Sequence, residues 1–180
     1  GNIRLYCETT KKTMTREESI KFYKAHAGRL YNISWRIVRD SGEAEEIMQD
    51  TILKFITLDI VPSDPAQVAA WLSRTCIRKS IDAVRKKRRE KLFLDEYAGE
   101  VSEYADDTTT VEVPQMSVSN VRKAIDGLPE SCRLILNLVL VEGLDYEEIA
   151  SITGEREGTL RTQFSRAKAK LVEQLKRTRI

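Results

Sequence analysis

Long apolar runs are missing from this sequence: nowhere do its 180 residues approach the roughly 18 consecutive apolar positions that a membrane-crossing helix needs. No membrane insertion is expected. Cysteine is scarce, and the three present, Cys7, Cys76 and Cys132, are odd in number and far apart, which argues against a disulfide framework. Histidine occurs once, as His26, so no Cys/His cluster is available to hold a metal. Cys76 and Cys132 fall on apolar helical positions and are assigned to the core; His26 is read as a solvated or capping side chain. Also lacking are a glycine-rich phosphate loop, a recognisable pair of catalytic carboxylates and a Ser-His-Asp set. An enzyme is therefore not supported, and no catalytic residue, metal or cofactor is expected. The opening GNIRLYCETTKKT has neither the apolar core nor the small-residue cleavage site of a secretion signal, so a cytoplasmic location is expected.

What is present is charge, unevenly spread. The formal net charge is only +2, yet Trp71 to Lys91 holds nine Lys or Arg against Asp82 and Glu90, and Arg156 to Arg179 holds eight against Glu157 and Glu173. Between these blocks the sign inverts. Leu92 to Val121 has no basic residue, while Asp95, Glu96, Glu100, Glu103, Asp106, Asp107 and Glu112 make it acidic. Residues 96–116, with Thr108 to Thr110 and Pro114, are expected to form a flexible acidic linker. It would separate a domain over 1–95 from a second over 117–180, giving an all-α protein of two helical domains.

The second domain carries the most specific pattern. From Leu128 to Leu175, three apolar-periodic segments are broken at Glu142-Gly143-Leu144 and at Thr153-Gly154. The middle segment opens with Asp145 three residues before Glu148, the spacing of a capping box, and ends at Gly154, which tolerates positive φ. In the third, Leu160, Phe164, Ala167, Leu171 and Leu175 fall on one face at 3.6 residues per turn. Opposite lie Thr162, Ser165, Arg166 and Ala169, flanked by Arg161 and Lys170: a slim face, rich in donors, of the kind that fits a DNA major groove. A capped short helix, a glycine turn and a long basic helix together point to a helix-turn-helix.

In the first domain a helical hairpin is expected from Thr15 to Leu58, punctuated at Asp40-Ser41-Gly42. Its second helix has Glu43, Glu45 and Glu46 at the positive end of the helix dipole and shows Gln49, Asp50 and Lys54 on its polar face. Two prolines make residues 57–67 a loop. The basic helix that follows, from Ala66 or Gln67, should bury Leu72, Cys76, Ile77, Ser80, Ala83 and Val84. Trp71, Thr75 and Arg78 share the opposite side with Arg74, Asp82 and Arg85, which suits either stacking on an unpaired base beside phosphates or a Trp capping a neighbouring helix.

These segments resemble the extracytoplasmic-function sigma factors, small members of the sigma-70 family. Residues 43–50 (Glu-Ala-Glu-Glu-Ile-Met-Gln-Asp) are similar to the family segment that binds the beta-prime clamp of RNA polymerase. Residues 70–74 (Ala-Trp-Leu-Ser-Arg), with Ile81, Asp82 and Arg85, resemble the promoter-melting helix. Leu128-Pro129-Glu130, Glu142-Gly143-Leu144, residues 146–150, Gly158-Thr159 and Arg166-Ala167 resemble the minus 35 reader. The resemblance implies a transcription initiation factor whose partners are core RNA polymerase, through the beta-prime clamp and beta flap, promoter DNA and an anti-sigma factor. It assigns Glu45, Glu46, Gln49 and Asp50 to polymerase; Trp71, Arg74, Arg78, Lys79 and Arg85 to minus 10 DNA and melting; and Thr159, Arg161, Thr162, Gln163, Ser165, Arg166 and Lys170 to minus 35 DNA. The chain departs from the family pattern at Ile77-Arg78-Lys79 and at Glu155-Arg156, where the recognition helix is expected to begin at Glu157, Gly158 or Thr159. Two other readings are a sigma-like decoy for an anti-sigma protein and a helix-turn-helix repressor.

Overall fold

The computed structural model describes residues 13–59, 61–94 and 117–177; the linker expected over 96–116 lies outside them, as do Cys7 and Arg179. Apart from a single-residue bridge at Val61, every regular element among the described residues is helical, and the chain divides into two units, 1–94 and 95–180.

The described residues of unit 1 form three helices. The first, α1 (Arg16–Val38), starts at a reciprocal capping box: the Glu18 amide donates to Thr15 Oγ1 at 3.2 Å, and the Thr15 amide donates to Glu18 Oε2 at 3.1 Å. It ends at Arg39, a non-glycine residue at φ 58°, whose guanidinium lies 4.6 Å from the centre of the Trp35 ring. The second, α2 (Ser41–Ile56), is capped by Asp40, which accepts from the Glu43 amide at 2.8 Å. Asp64 then begins α3 (Pro65–Leu94): its carbonyl accepts from the Val68 amide at 3.0 Å and its Oδ1 from the Ala66 amide at 3.2 Å. The helix thus starts slightly earlier than expected, with Pro65 at the first position, where its missing amide costs nothing.

The core of this unit is built from Leu30, Ile33 and Ile37 of α1, Ile47, Met48, Ile52 and Phe55 of α2, and Leu72, Cys76, Ile77 and Ile81 of α3. Small polar groups let α1 and α3 approach. The hydroxyls of Ser34 and Ser80 lie 2.9 Å apart, Ser80 also reaches the Cys76 carbonyl at 2.7 Å, and the Cys76 thiol donates to the Leu30 carbonyl at 3.3 Å. All three side chains are buried, and each of these polar groups has a partner there. Ala83 and Val84, expected to be buried, are half-buried, and Ile81 takes the inner position instead.

Unit 2 contains α4 (Val118–Asp126), α5 (Glu130–Leu136), a π-helical turn (Asn137–Val141), α6 (Tyr146–Thr153) and α7 (Glu157–Arg177). Pro129 stands at the cap of α5 rather than within its first turn. The Glu142 amide donates to the Asn137 carbonyl at 2.9 Å, five residues back, which closes the π turn, and Gly143 follows at φ 68°. Asp145 caps α6 by accepting from the Glu148 amide at 2.8 Å, and Gly154 ends it at φ 75°, its amide donating to the Ala150 carbonyl at 2.8 Å. The core joins Ile125, Ile135, Leu136 and Leu138 to Ile149 and Ile152, and to Leu160, Ala167, Leu171, Val172 and Leu175 of α7. Cys132 is buried, as is Cys76 in unit 1.

Candidate nucleic-acid interface

The α7 helix begins at Glu157, with the Arg156 carbonyl accepting from the Leu160 amide at 3.0 Å. An arginine side chain has no acceptor to cap that turn. Burial of Leu160, Ala167, Leu171 and Leu175 fixes the rotation of the helix and leaves Thr159, Arg161, Thr162, Gln163, Ser165 and Arg166 exposed, with Lys170 half-buried. Phe164 is half-buried and meets Tyr146 of α6 edge-on, ring centres 6.2 Å apart. Arg161 lies with its guanidinium 5.5 Å from the centre of the same Tyr146 ring and 3.7 Å from Glu157 one turn earlier. The Thr162 hydroxyl donates to the Gly158 carbonyl at 3.1 Å. The exposed side of α7 is therefore a row of hydrogen-bonding groups on a rigid helix whose back is packed.

In unit 1 the outer side of α3 carries Arg74, Arg78 and Arg85 exposed, with Lys79 half-buried. Trp71 does not stand outward among them. It is half-buried and meets Phe55 of α2 edge-on at 5.4 Å, and Phe55 in turn stacks on Phe22 of α1 at 4.8 Å. Of the two roles open to it, capping a neighbouring helix is the contact observed. Thr75, expected on the same outer face, is also buried. For Trp71 the reason is packing: Phe55 of α2 meets its ring and covers an edge that an isolated helix would leave open. His26 is likewise not simply solvated. It is half-buried, 4.5 Å from the Phe22 ring, and burial, with the Arg29 charge nearby, lowers its pKa below 6.5. Arg29 itself reaches across to α3, donating to the Ser73 hydroxyl and to the Ala69 carbonyl at 3.3 Å.

The outer side of α2 is different in chemistry. Glu45, Glu46, Gln49 and Asp50 are all exposed, Gln49 donating to Glu45 at 3.5 Å, and Leu53 continues the stripe with 60% of its surface open. Leu53 was not among the expected site residues, although its spacing of four from Gln49 and three from Asp50 places it on their face. Glu43, at the start of the helix, pairs with Lys87 of α3 at 2.5 Å. Among the described residues no helix is long and apolar enough to cross a membrane, and no three His, Cys, Asp or Glu side chains converge as a metal site.

Residues 22–90 match the family model of sigma-70 region 2, and residues 119–171 match that of sigma-70 region 4. The chain is 30% identical to the ECF RNA polymerase sigma factor EcfG of Rhodopseudomonas palustris over 134 residues, 73% of this chain and 71% of that one. The chain belongs to the extracytoplasmic-function sigma factors of the sigma-70 family. RNA polymerase sigma factor SigV of Bacillus subtilis is 27% identical over 157 residues, 87% of this chain and 90% of that one. In fold the chain is similar to the sigma factor RpoE of Bartonella quintana, solved in complex with the anti-sigma factor NepR, with a TM-score of 0.52 and 23% identity over 87% of this chain and 96% of that one. As a sigma factor the protein directs promoter-specific transcription initiation, binding core RNA polymerase and promoter DNA, and is not itself an enzyme. The two family matches, in this order, set aside the repressor reading.

Proposed function

We propose that this sigma factor divides promoter recognition between its two units. Unit 2 reads the minus 35 element in the major groove through Thr159, Arg161, Thr162, Gln163, Ser165, Arg166 and Lys170, and takes the beta flap of the polymerase as its protein partner. Unit 1 engages minus 10 DNA and assists melting through α3, with Arg74, Arg78, Lys79 and Arg85 on phosphates and Trp71 packed behind them against Phe55. Glu45, Glu46, Gln49 and Asp50, joined by Leu53, dock α2 on the beta-prime clamp. The observation that carries this reading is the contrast between outer faces: a donor-rich one on α7, a cationic one on α3, and on α2 an acidic stripe that DNA would repel. An anti-sigma factor is a further partner, supported by the RpoE structure solved with NepR.

Transcription with purified core polymerase tests it. The full chain should retain core enzyme and open a bubble, seen as permanganate-reactive thymines, on a promoter selected from a randomised library. Absence of core binding even at low salt would reject the reading. Combining Glu45→Ala, Glu46→Ala and Asp50→Ala should weaken retention of core enzyme, and unaltered retention would remove α2 from the assignment.

A further inference from the structure

One cation on α7 is held from two sides. The guanidinium of Arg161 lies 5.5 Å from the centre of the Tyr146 ring, and its Nη2 is 3.7 Å from Glu157 Oε2. The two braces act on different parts of the group. The ring meets the charge through its electron-rich face, leaving the N–H donors in the guanidinium plane available. The Glu157 contact is too long for a hydrogen bond and acts through charge alone. Tyr146 itself is fixed: it is the first residue of α6, directly after the Asp145 cap, half-buried and in edge contact with Phe164. The direction of Arg161 is thus tied to the crossing of α6 on α7 as well as to its own backbone.

We propose that Tyr146 is a positioning residue for Arg161 and thereby sets the preference for guanine at one position of the minus 35 element. This rests on the reading that the exposed side of α7 faces minus 35 DNA. A long, exposed side chain, 65% open here, samples many rotamers, and a bidentate contact to guanine O6 and N7 needs one of them. An aromatic platform beneath the guanidinium narrows that choice before DNA arrives, so the advantage falls on the base that accepts both donors. A lysine at this position would meet the ring as a point charge and lose the fork. Tyr146 does not touch the base in this scheme; its effect passes through Arg161.

A promoter library randomised across the minus 35 element, transcribed by core polymerase with the full-length sigma factor, provides the test. Arg161→Ala identifies the position that Arg161 reads, by the loss of its guanine preference. Tyr146→Leu should reduce the preference at that same position by about 2- to 5-fold, the range of a cation–ring contact at an exposed site, while other positions keep theirs. Tyr146→Phe should restore it. In an Arg161→Ala background, Tyr146→Leu should have no further effect on preference. Because loss of the ring also removes the Phe164 contact, a second comparison keeps the shape: pentafluorophenylalanine at 146, whose ring face no longer attracts a cation, should lower the guanine preference relative to Tyr146→Phe. A uniform loss at all positions, or equal preference with the fluorinated and ordinary rings, would overturn the positioning role. No change in any position on Arg161→Ala would instead remove the base-contact reading beneath it.

Discussion

The two long basic helices, α3 of unit 1 and α7 of unit 2, each bury one side, yet they distribute their cations differently. In α3 five basic residues, Arg85 to Arg89, are consecutive and all exposed. Successive residues on a helix are about 100° apart, so such a run points nearly all the way round. It cannot present every charge to one groove, but it suits a backbone of phosphates met from several directions. In α7, from Thr159 to Ala169, the exposed cations Arg161, Arg166 and Lys168 are separated by neutral residues, with Thr162, Gln163 and Ser165 between the first two, so charge alternates with uncharged donors. Arg161 is additionally braced by Tyr146 and Glu157. A run of charge raises affinity for any nucleic acid, whereas a spaced and braced cation distinguishes one base from another.

That contrast depends first on both buried sides being firm. Leu72 in α3 is fully buried and Leu171 in α7 is 4% exposed. Leu72→Ala and Leu171→Ala should each lower stability by about 2–5 kcal/mol, measured by denaturant unfolding. A loss well under that range in one helix would mean its unit tolerates a cavity, and that its outer face is less rigidly presented.

The distribution itself is tested next. Arg161→Ala should cost about 1–3 kcal/mol at one promoter base and little at the others. Arg88→Gln with Arg89→Gln should weaken promoter binding by holoenzyme whatever the sequence, lowering the slope of log affinity against log salt by about 0.9 for each phosphate that is no longer neutralised. Competition binding over a salt series separates the two patterns. A base-specific loss from the α3 pair would erase the distinction between the helices.

A smaller effect concerns the turn that presents α7. Gly154 holds φ 75° with nothing near its would-be Cβ, so Gly154→Ala meets no clash and carries only the backbone cost, about 1–2 kcal/mol for a left-handed residue. Thermal unfolding should register it. A promoter preference unchanged alongside that loss would show that the turn supports stability without aiming α7.

Helix ends were legible in the sequence because their chemistry is local. Asp145, Gly143 and Gly154 act where they were expected, and each needs only its neighbours to do so. The all-helical, two-unit architecture followed from periodicity and from the inversion of charge between two basic blocks. What was not legible depends on contacts between distant segments. Trp71 and Thr75 lie on a face that a wheel of α3 alone leaves outward; Phe55, arriving from α2, meets Trp71, and Thr75 is buried in the folded unit. The π turn at Asn137–Val141 carries no Gly or Pro to mark it; Asn-Leu-Val-Leu-Val is equally compatible with an ordinary helix. The partnership of Arg161 with Tyr146 joins residues fifteen positions apart on two helices, and neither residue signals the other. On α2, Leu53 was legible by spacing, since it continues the acidic stripe at helical intervals.

The smallest expected effects concern two groups of unit 1 whose pKa values move in opposite directions. Lys87 is raised above 10.5, chiefly by its hydrogen bond to Glu43 and further by the charges of Glu43, Asp40 and Glu90, with slight burial opposing. Its folded-state pKa exceeds its unfolded one, so the stability it contributes is complete below pH 10.5 and is lost as the pH rises through the higher folded value. His26 is lowered below 6.5 by burial and by Arg29, so folding disfavours its charged form. The stability linked to His26 is present above pH 6.5 and is lost as the pH falls through the lower folded value. Comparing unfolding curves of Lys87→Gln and His26→Gln with the parent chain should flatten the alkaline limb in the first and the acid limb in the second. Lys87 is 57% exposed on its side chain, so removal of its pair should cost under about 1 kcal/mol near neutral pH. A larger loss would mean that the link between the start of α2 and the basic run of α3 is structural, and that this run is less available to phosphates than the contrast with α7 requires.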